Sequence, residues 1–243
     1  MFRKFVTSGL AAVFGLSCLC ASAQAEHCQN PVISGPPVWH PYIKIGEDGA
    51  RFGPAVEVAQ KVLEPLFGAP VLDRIKPWTR VKEELKSGEI DFVFTILHAR
   101  EREKHYSYTQ SWTSDTYGIV MKAGRDMDYI GTRSLKTYKG GYLHGISLPE
   151  PFKEYEANNG NIRSIANVSS LFKMLDTGRV DYLIVSLRSF WGLIPDGKQE
   201  SDYNLITTSV VRIPVFMAVS KKSPCNNHMT DIKAALQPFV ERR

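Results

Sequence analysis

The chain has 243 residues, 43% of them hydrophobic and 23% charged, with a mean hydropathy of -0.19 and 30 basic against 25 acidic residues. That apolar fraction is enough to build a core and excludes low-complexity disorder. A polytopic membrane protein would need several apolar runs of roughly 20 residues, and only one N-terminal run comes close.

Met1 to Lys4 carries two positive charges, Phe5 to Leu19 is apolar and uncharged, and Ala23-Gln24-Ala25 ends the segment as small-x-small. This is the layout of a secretory signal peptide over residues 1–25, expected to be cleaved after Ala25. The apolar stretch is short for an anchor, since spanning takes roughly 20 residues, and neither Cys18 nor Cys20 follows a lipoprotein cleavage motif. Losing Arg3 and Lys4 lowers the formal charge of +5 by two. The remaining basic residues alternate with acids, as in Arg100-Glu101-Arg102-Glu103-Lys104, so no tract is built to neutralise many phosphates and no nucleic-acid partner is expected.

Of the four cysteines, cleavage leaves Cys28 and Cys225. In an oxidising compartment a Cys28–Cys225 disulfide is expected, tying the mature N-terminus to a segment near the C-terminus. The alternative is a tetrahedral metal set of both thiols with His27 and His228.

From residue 26 onward, short β-branched or aromatic runs alternate with helical patterns, the signature of an α/β fold with largely parallel sheets. The strand candidates are Pro31 to Ser34, Asp91 to Ile96, Gly118 to Lys122, Gly141 to Leu143, Val180 to Val185 and Pro214 to Ser220. Pro54 to Phe67 reads as a helix with Val58, Val62 and Leu66 on one face, which Pro65 should kink or end. A second helix has Asn167 as its N-cap, Val168, Leu171, Phe172 and Leu175 as its apolar stripe, and Gly178 as its stop. Thr230 to Val240 reads as a last helix. Leu85-x-x-Gly88-x-Ile90-Asp91 returns as Leu175-x-x-Gly178-x-Val180-Asp181, each a helix end, a glycine cap and a buried strand, which suggests two similarly built lobes. The expected organisation is residues 26–119 with 212–243 as one lobe and 120–211 as the other. Strands near Thr116 to Lys122 and Val210 to Val219 would pass between them, leaving a ligand cleft between the lobes.

Motifs for a serine nucleophile elbow, a zinc peptidase, a phosphate-binding loop or a dinucleotide fold are missing from the sequence, and no cofactor is expected. The Glu83-Glu84 pair reads as a water-facing helix surface. Aromatic residues are concentrated in the first lobe, at Trp39, Tyr42, Trp78, Tyr108, Trp112 and Tyr117. Most should pack, but Trp39 and Tyr42 lie in Pro36-Pro37-Val38-Trp39-His40-Pro41-Tyr42, a rigid loop after the first strand, where open α/β sheets carry their ligands.

Together these pieces resemble the periplasmic solute-binding proteins of family 3, the polar amino-acid type with the type II periplasmic-binding fold, from about Pro31 to the C-terminus. The resemblance rests on Trp39-His40-Pro41-Tyr42, Gly53 to Leu63, and Pro77-Trp78 followed by Leu85 to Asp91. It continues through Ala99 to Lys104, Tyr108 to Trp112, Gly145-Ile146-Ser147 and Gly178-Arg179-Val180-Asp181. It implies that Arg102 grips a ligand carboxylate with its planar fork, that Trp39 covers the ligand, and that Ser147 completes the carboxylate site from the second lobe. Tyr42, Thr95 and Ser186 complete the candidate set.

The family's threonine is Ala99 here, its frequent hydroxyl two residues earlier is Leu97, and the acid that commonly receives an α-ammonium falls on Ser186. A neutral serine cannot offset a buried ammonium, so a small polar solute bearing one carboxylate, rather than an ordinary α-amino acid, is the expected ligand. The resemblance implies a monomeric periplasmic binding protein that closes on its solute and delivers it to an ATP-binding-cassette permease. Two alternatives are a ligand-sensing clamp for a membrane receptor or kinase and an enzyme resembling cyclohexadienyl dehydratase, for which His40, His98 and His144 are the candidate acid–base groups.

Overall fold

The computed structural model describes residues 27–158 and 160–241, so the expected leader at residues 1–25 lies outside the described residues. The first elements are β1 (Val32–Ser34), a hairpin of β2 (Lys44–Ile45) and β3 (Arg51–Phe52), α1 (Pro54–Phe67) and β4 (Val71–Leu72). There follow α2 (Trp78–Ser87), β5 (Phe92–Leu97), β6 (Tyr106–Tyr108) and the long β7 (Thr113–Lys122). Next come β8 (Gly140–Leu143), α3 (Phe152–Ala157), β9 (Ile162–Ile165), α4 (Val168–Asp176), β10 (Tyr182–Ser186) and α5 (Leu187–Trp191), and last β11 (Tyr203–Ser220) and α6 (Met229–Leu236).

Nine strands form one sheet in the order β4-β1-β5-β11-β7-β10-β8-β9, with β6 also paired to β11. Its two flanks are parallel, β1 with β4 and β5 on one side and β8 with β9 and β10 on the other. Strands joined by a helix return in the same direction, which is why the flanks are parallel. The centre is antiparallel, because β7 and β11 run against each other and against β10 and β5. β11 starts at Tyr203, well before the expected Pro214, and shifts register against β7 between Ile206 and Val211. Ser209 fills that bulge, accepting from the Ile119 amide at 2.8 Å and donating to the Ile206 carbonyl at 2.6 Å.

The core is laid down separately on the two flanks. Ile33, Phe92, Phe94 and Met217 pack with α1 and α6, while Val93 and Ala218 pack with Val81 and Leu85 of α2. On the other flank, Ile119, Phe152, Tyr182 and Ile184 form one cluster and Val120, Phe172, Leu175 and Leu183 another. Alternate residues of the same strands thus feed opposite faces of the sheet.

α1 starts at Pro54, as read from the sequence, but it does not end at Pro65; it runs to Phe67. Pro65 lies in the last turn, where only a single backbone bond is forfeited, and Val62, Leu63 and Phe67 are buried around it. The buried face is Ala55, Val56, Ala59, Val62, Leu63 and Phe67, and Leu66 points outward. The Asn167 cap forms as expected, its side chain accepting from the Ser170 amide at 2.8 Å. The last helix is shorter than read, ending at Leu236 before a single 3₁₀ turn over Gln237–Phe239.

Cys28 and Cys225 are bonded across a sequence separation of 197 residues, which removes both thiols from any metal set. Among the described residues no cluster of three or more histidine, cysteine or carboxylate groups is placed to hold a metal ion. The Glu83-Glu84 reading needs correction. Glu83 is exposed, but Glu84 is buried and ion-paired with Lys76 at 2.5 Å and Arg80 at 2.6 Å. The two positions lie 100° apart on the helix, so neighbours in sequence face opposite environments.

Candidate ligand site

A cavity of about 460 Å³ opens where the C-terminal ends of β1, β5, β8 and β10 converge. Parallel strands and their following helices place loops and helix starts at this edge, the position where open α/β sheets take ligands. The first flank contributes the loop Pro36 to Trp39, the start of α2 at Trp78 and Thr79, and Arg102; the second contributes Leu143 to Ser147, the start of α4, and the segment Ser186 to Leu193.

Arg102 ends the 3₁₀ turn Arg100–Arg102 that follows β5. Its Nη2 donates to Ser147 Oγ at 2.6 Å, a bond that crosses the cavity mouth from one flank to the other. Among the described residues, no carboxylate is ion-paired with this guanidinium. Its charge is felt nearby: burial, then the Arg102 charge, pushes the Lys82 ammonium below its ordinary pKa, and Lys82 Nζ stands 5.8 Å from the Trp78 ring centroid. Glu83 and Glu101 act on this region with the opposite sign, but neither is ion-paired with Arg102.

Trp39 is held by backbone bonds with Ile43 in both directions, and its Nε1 donates to Asp115 Oδ2 at 2.7 Å. Asp115 is fully buried and accepts from the Thr116 amide at 2.8 Å through Oδ1. Burial raises its pKa, while the Ser186 hydroxyl, Trp39 and the Thr116 amide act in the opposite direction. Ser186 ends β10 and caps α5, its Oγ accepting from the Ser189 amide at 3.3 Å and donating to Ser189 Oγ at 3.1 Å. Ser189 in turn donates to the His40 carbonyl at 2.9 Å. Gly192 is required beside it, because a Cβ there would stand 2.3 Å from His40 Nδ1.

The structure brings Trp39, Arg102, Ser147 and Ser186 to one cavity and leaves Tyr42 and Thr95 off its wall. Tyr42 is buried beneath the loop, edge-on to both Trp39 and Trp112, its hydroxyl donating to the Ser114 carbonyl at 2.6 Å and accepting from Arg188 at 3.2 Å. Burial raises its pKa. Thr95 is fully buried in β5, facing the interior. Of the candidate acid–base histidines only His144 reaches the cavity, where it is exposed and lies 3.3 Å from Ser164 Oγ; His98 pairs with Glu103 at 2.7 Å.

Sequence reasoning did not find Asp115 or Arg188. Asp115 had a signal, since the alternation of β7 puts Thr113, Asp115 and Tyr117 on one buried side. Arg188 had none, because its partner Tyr42 is brought to it only by tertiary packing.

The profile of the bacterial extracellular solute-binding proteins, family 3, matches residues 33–237. A search of curated protein sequences finds no significant match. Among solved structures, an ancestral arginine-binding protein bound to arginine is 21% identical, with a TM-score of 0.69 over 88% of this chain and 93% of that one. A histidine kinase sensor domain with similarity to periplasmic binding proteins is 19% identical, with a TM-score of 0.72 over 88% of this chain and 90% of the other. The arginine-, lysine-, histidine-binding protein ArtJ from Geobacillus stearothermophilus is 17% identical, with a TM-score of 0.68 over 87% of this chain and 90% of its own. At these identities the likeness is one of fold.

Proposed function

Because the chain belongs to the bacterial extracellular solute-binding proteins, family 3, we propose that it captures a small solute through a carboxylate by closing two lobes on the cavity. The lobes would be residues 26–119 with 212–243, and residues 120–211; the separate core clusters on the two flanks of the sheet support that division. The observation that carries the reading is the Arg102 guanidinium, which has no ion-pair partner among the described residues and is joined across the cavity to the Ser147 hydroxyl. A planar fork of donors with a neutral partner is matched by a carboxylate, which accepts two parallel bonds and supplies the missing charge. Contacts from both lobes to one ligand favour the closed state over the open one, and that difference in affinity is what a partner reads.

The proposed setting is the periplasm after loss of residues 1–25, acting as a monomer, with an ATP-binding-cassette permease as the partner that accepts the solute. Family membership supports this setting, and no helix among the described residues is long and apolar enough to cross a membrane. The role proposed is binding without turnover. A second reading, sensing, is favoured by the fold of the sensor domain above, whose TM-score is 0.72. Cross-linking the ligand-saturated protein to membranes and identifying the captured protein as permease or kinase separates the two.

The direct test is a thermal-shift screen of small carboxylates on the native protein and on Arg102→Ala. A ligand of the folded state stabilises by about 2.7 kcal/mol at 100-fold excess over Kd. Stabilisation by at least one carboxylate, lost in Arg102→Ala, is expected. Stabilisation that survives the substitution, or none from any carboxylate, would overturn the reading.

A further inference from the structure

The walls of the cavity say what the rest of the ligand is. Pro37, Val38 and Trp78 from one lobe face Leu143, Ile146 and Phe190 from the other. Among the described residues no aspartate or glutamate is on the wall, and Arg102 is its one permanently charged group. Asp115 does not reach a ligand ammonium, because it is fully buried and is not among the residues that line the cavity.

The polar groups that do line the cavity are mostly committed to the protein. Asn167 Oδ1 caps α4, Ser186 is bonded to Ser189, and Ser189 donates to the His40 carbonyl. Thr79 and His144 are exposed. A ligand rich in hydroxyl, amide or ammonium groups would therefore find few partners for the water it loses, a penalty of the kind that lets polar sites reject mismatched ligands. An apolar body meets the opposite situation, since every methylene it buries is removed from water against side chains of like character. The volume of about 460 Å³ lies in the range of small-ligand pockets.

We infer that the ligand is an amphipathic monocarboxylate, an alkyl- or aryl-carboxylic acid anion without an ammonium group. Arg102 and Ser147 hold its carboxylate, and the apolar walls of both lobes hold its chain or ring. This rests on the carboxylate reading above and narrows it.

The test is calorimetric titration of the native protein with acetate, butanoate, hexanoate and 3-phenylpropanoate, and with hexan-1-ol, glutamine and arginine. Affinity should rise roughly three- to fourfold per added methylene along the alkyl series. The phenyl compound should bind, and the alcohol and both amino acids should not. Arg102→Ala should weaken hexanoate roughly 10- to 100-fold. Ile146→Asn, at a half-buried position packed against the second flank's core and therefore checked for folding by circular dichroism, should weaken hexanoate more than acetate. If glutamine or arginine binds with dependence on Arg102 and the alkyl series is flat, the apolar-ligand inference is wrong and the carboxylate reading stands. If no carboxylate binds, or Arg102→Ala binds hexanoate as the native protein does while circular dichroism shows it folded, both fail.

Discussion

The Asp115 carboxylate is fully buried behind the cavity, with Trp39 Nε1 at 2.7 Å and the Thr116 amide at 2.8 Å as donors. Burial is the largest influence on its pKa and raises it above the ordinary 3.8, because a desolvated anion is less favourable than the neutral acid. Between the unfolded and the folded pKa, the native state holds a proton that the unfolded chain has released. Native stability therefore falls as pH rises through that window. Since Trp39 donates to this carboxylate, its fluorescence should report the same event. A pH titration of the native protein, differenced against Trp39→Phe, should show a midpoint above 3.8 that disappears in Asp115→Asn. A midpoint at or below that value would mean that the donors outweigh burial.

Residue types and spacing pointed to Trp39, Arg102, Ser147 and Ser186 through their likeness to a family pattern, and these four share the cavity. Tyr42 was singled out by the same loop but has its ring in the core beneath it. A rigid turn tells which residues are near a site, not which side of the loop each ring faces.

Helices long enough to show a periodic stripe were legible: α1 and α4 begin where Pro54 and Asn167 indicate. Strands of two or three residues, such as β2, β4 and β6, carry too little pattern to be seen, and β9 does not alternate, with a half-exposed, two exposed and one buried position. α5 has only five residues, fewer than two turns, and is defined by its Ser186 cap and its packing.

α2 shows how an element is fastened to the site. Glu84 on its inner side is paired with Lys76 at 2.5 Å and Arg80 at 2.6 Å, and Lys76 also reaches Asp73 at 3.1 Å. This network ties the helix to the segment before it and so positions Trp78 and Thr79 at the cavity. The hydrogen bond from Lys76, ahead of the other influences, lowers the Glu84 pKa below its ordinary 4.5. A depressed folded-state value means stability that is present above the unfolded pKa and lost as pH falls through the folded one. Glu84→Gln should accordingly lower Tm by about 3 °C at neutral pH, the scale of roughly 1 kcal/mol in a chain of this size. The gap to the native protein should close in acid below the ordinary carboxylate range. A gap independent of pH would assign the loss to packing instead.

For the molecule as a whole, the Cys28–Cys225 bond joins the first described segment to the one leading into α6, and both partners pack against the same cluster as α1. Loop-closure entropy over 197 residues makes this bond worth about 5 kcal/mol. The double substitution Cys28→Ser, Cys225→Ser should therefore shift the urea midpoint strongly downward. Hexanoate should still bind the folded fraction, because the bond is anchored in one core cluster and neither cysteine lies on the cavity wall.

By itself the sequence determined the fold class, the two helices marked by Pro54 and Asn167, the expectation that Cys28 and Cys225 pair, and the family to which the chain belongs. Each rests on local chemistry or on a periodicity carried by neighbouring residues. Tertiary structure decided that β7 and β11 run antiparallel through the middle of one sheet, that Glu84 and Asp115 are buried, and that Tyr42 supports the site from behind. It also decided the apolar character of the cavity, since its walls are assembled from strand ends and helix starts between Pro36 and Leu193. Solvent exclusion and charge balance at such a site depend on which distant residues share a space, and no spacing along the chain encodes that.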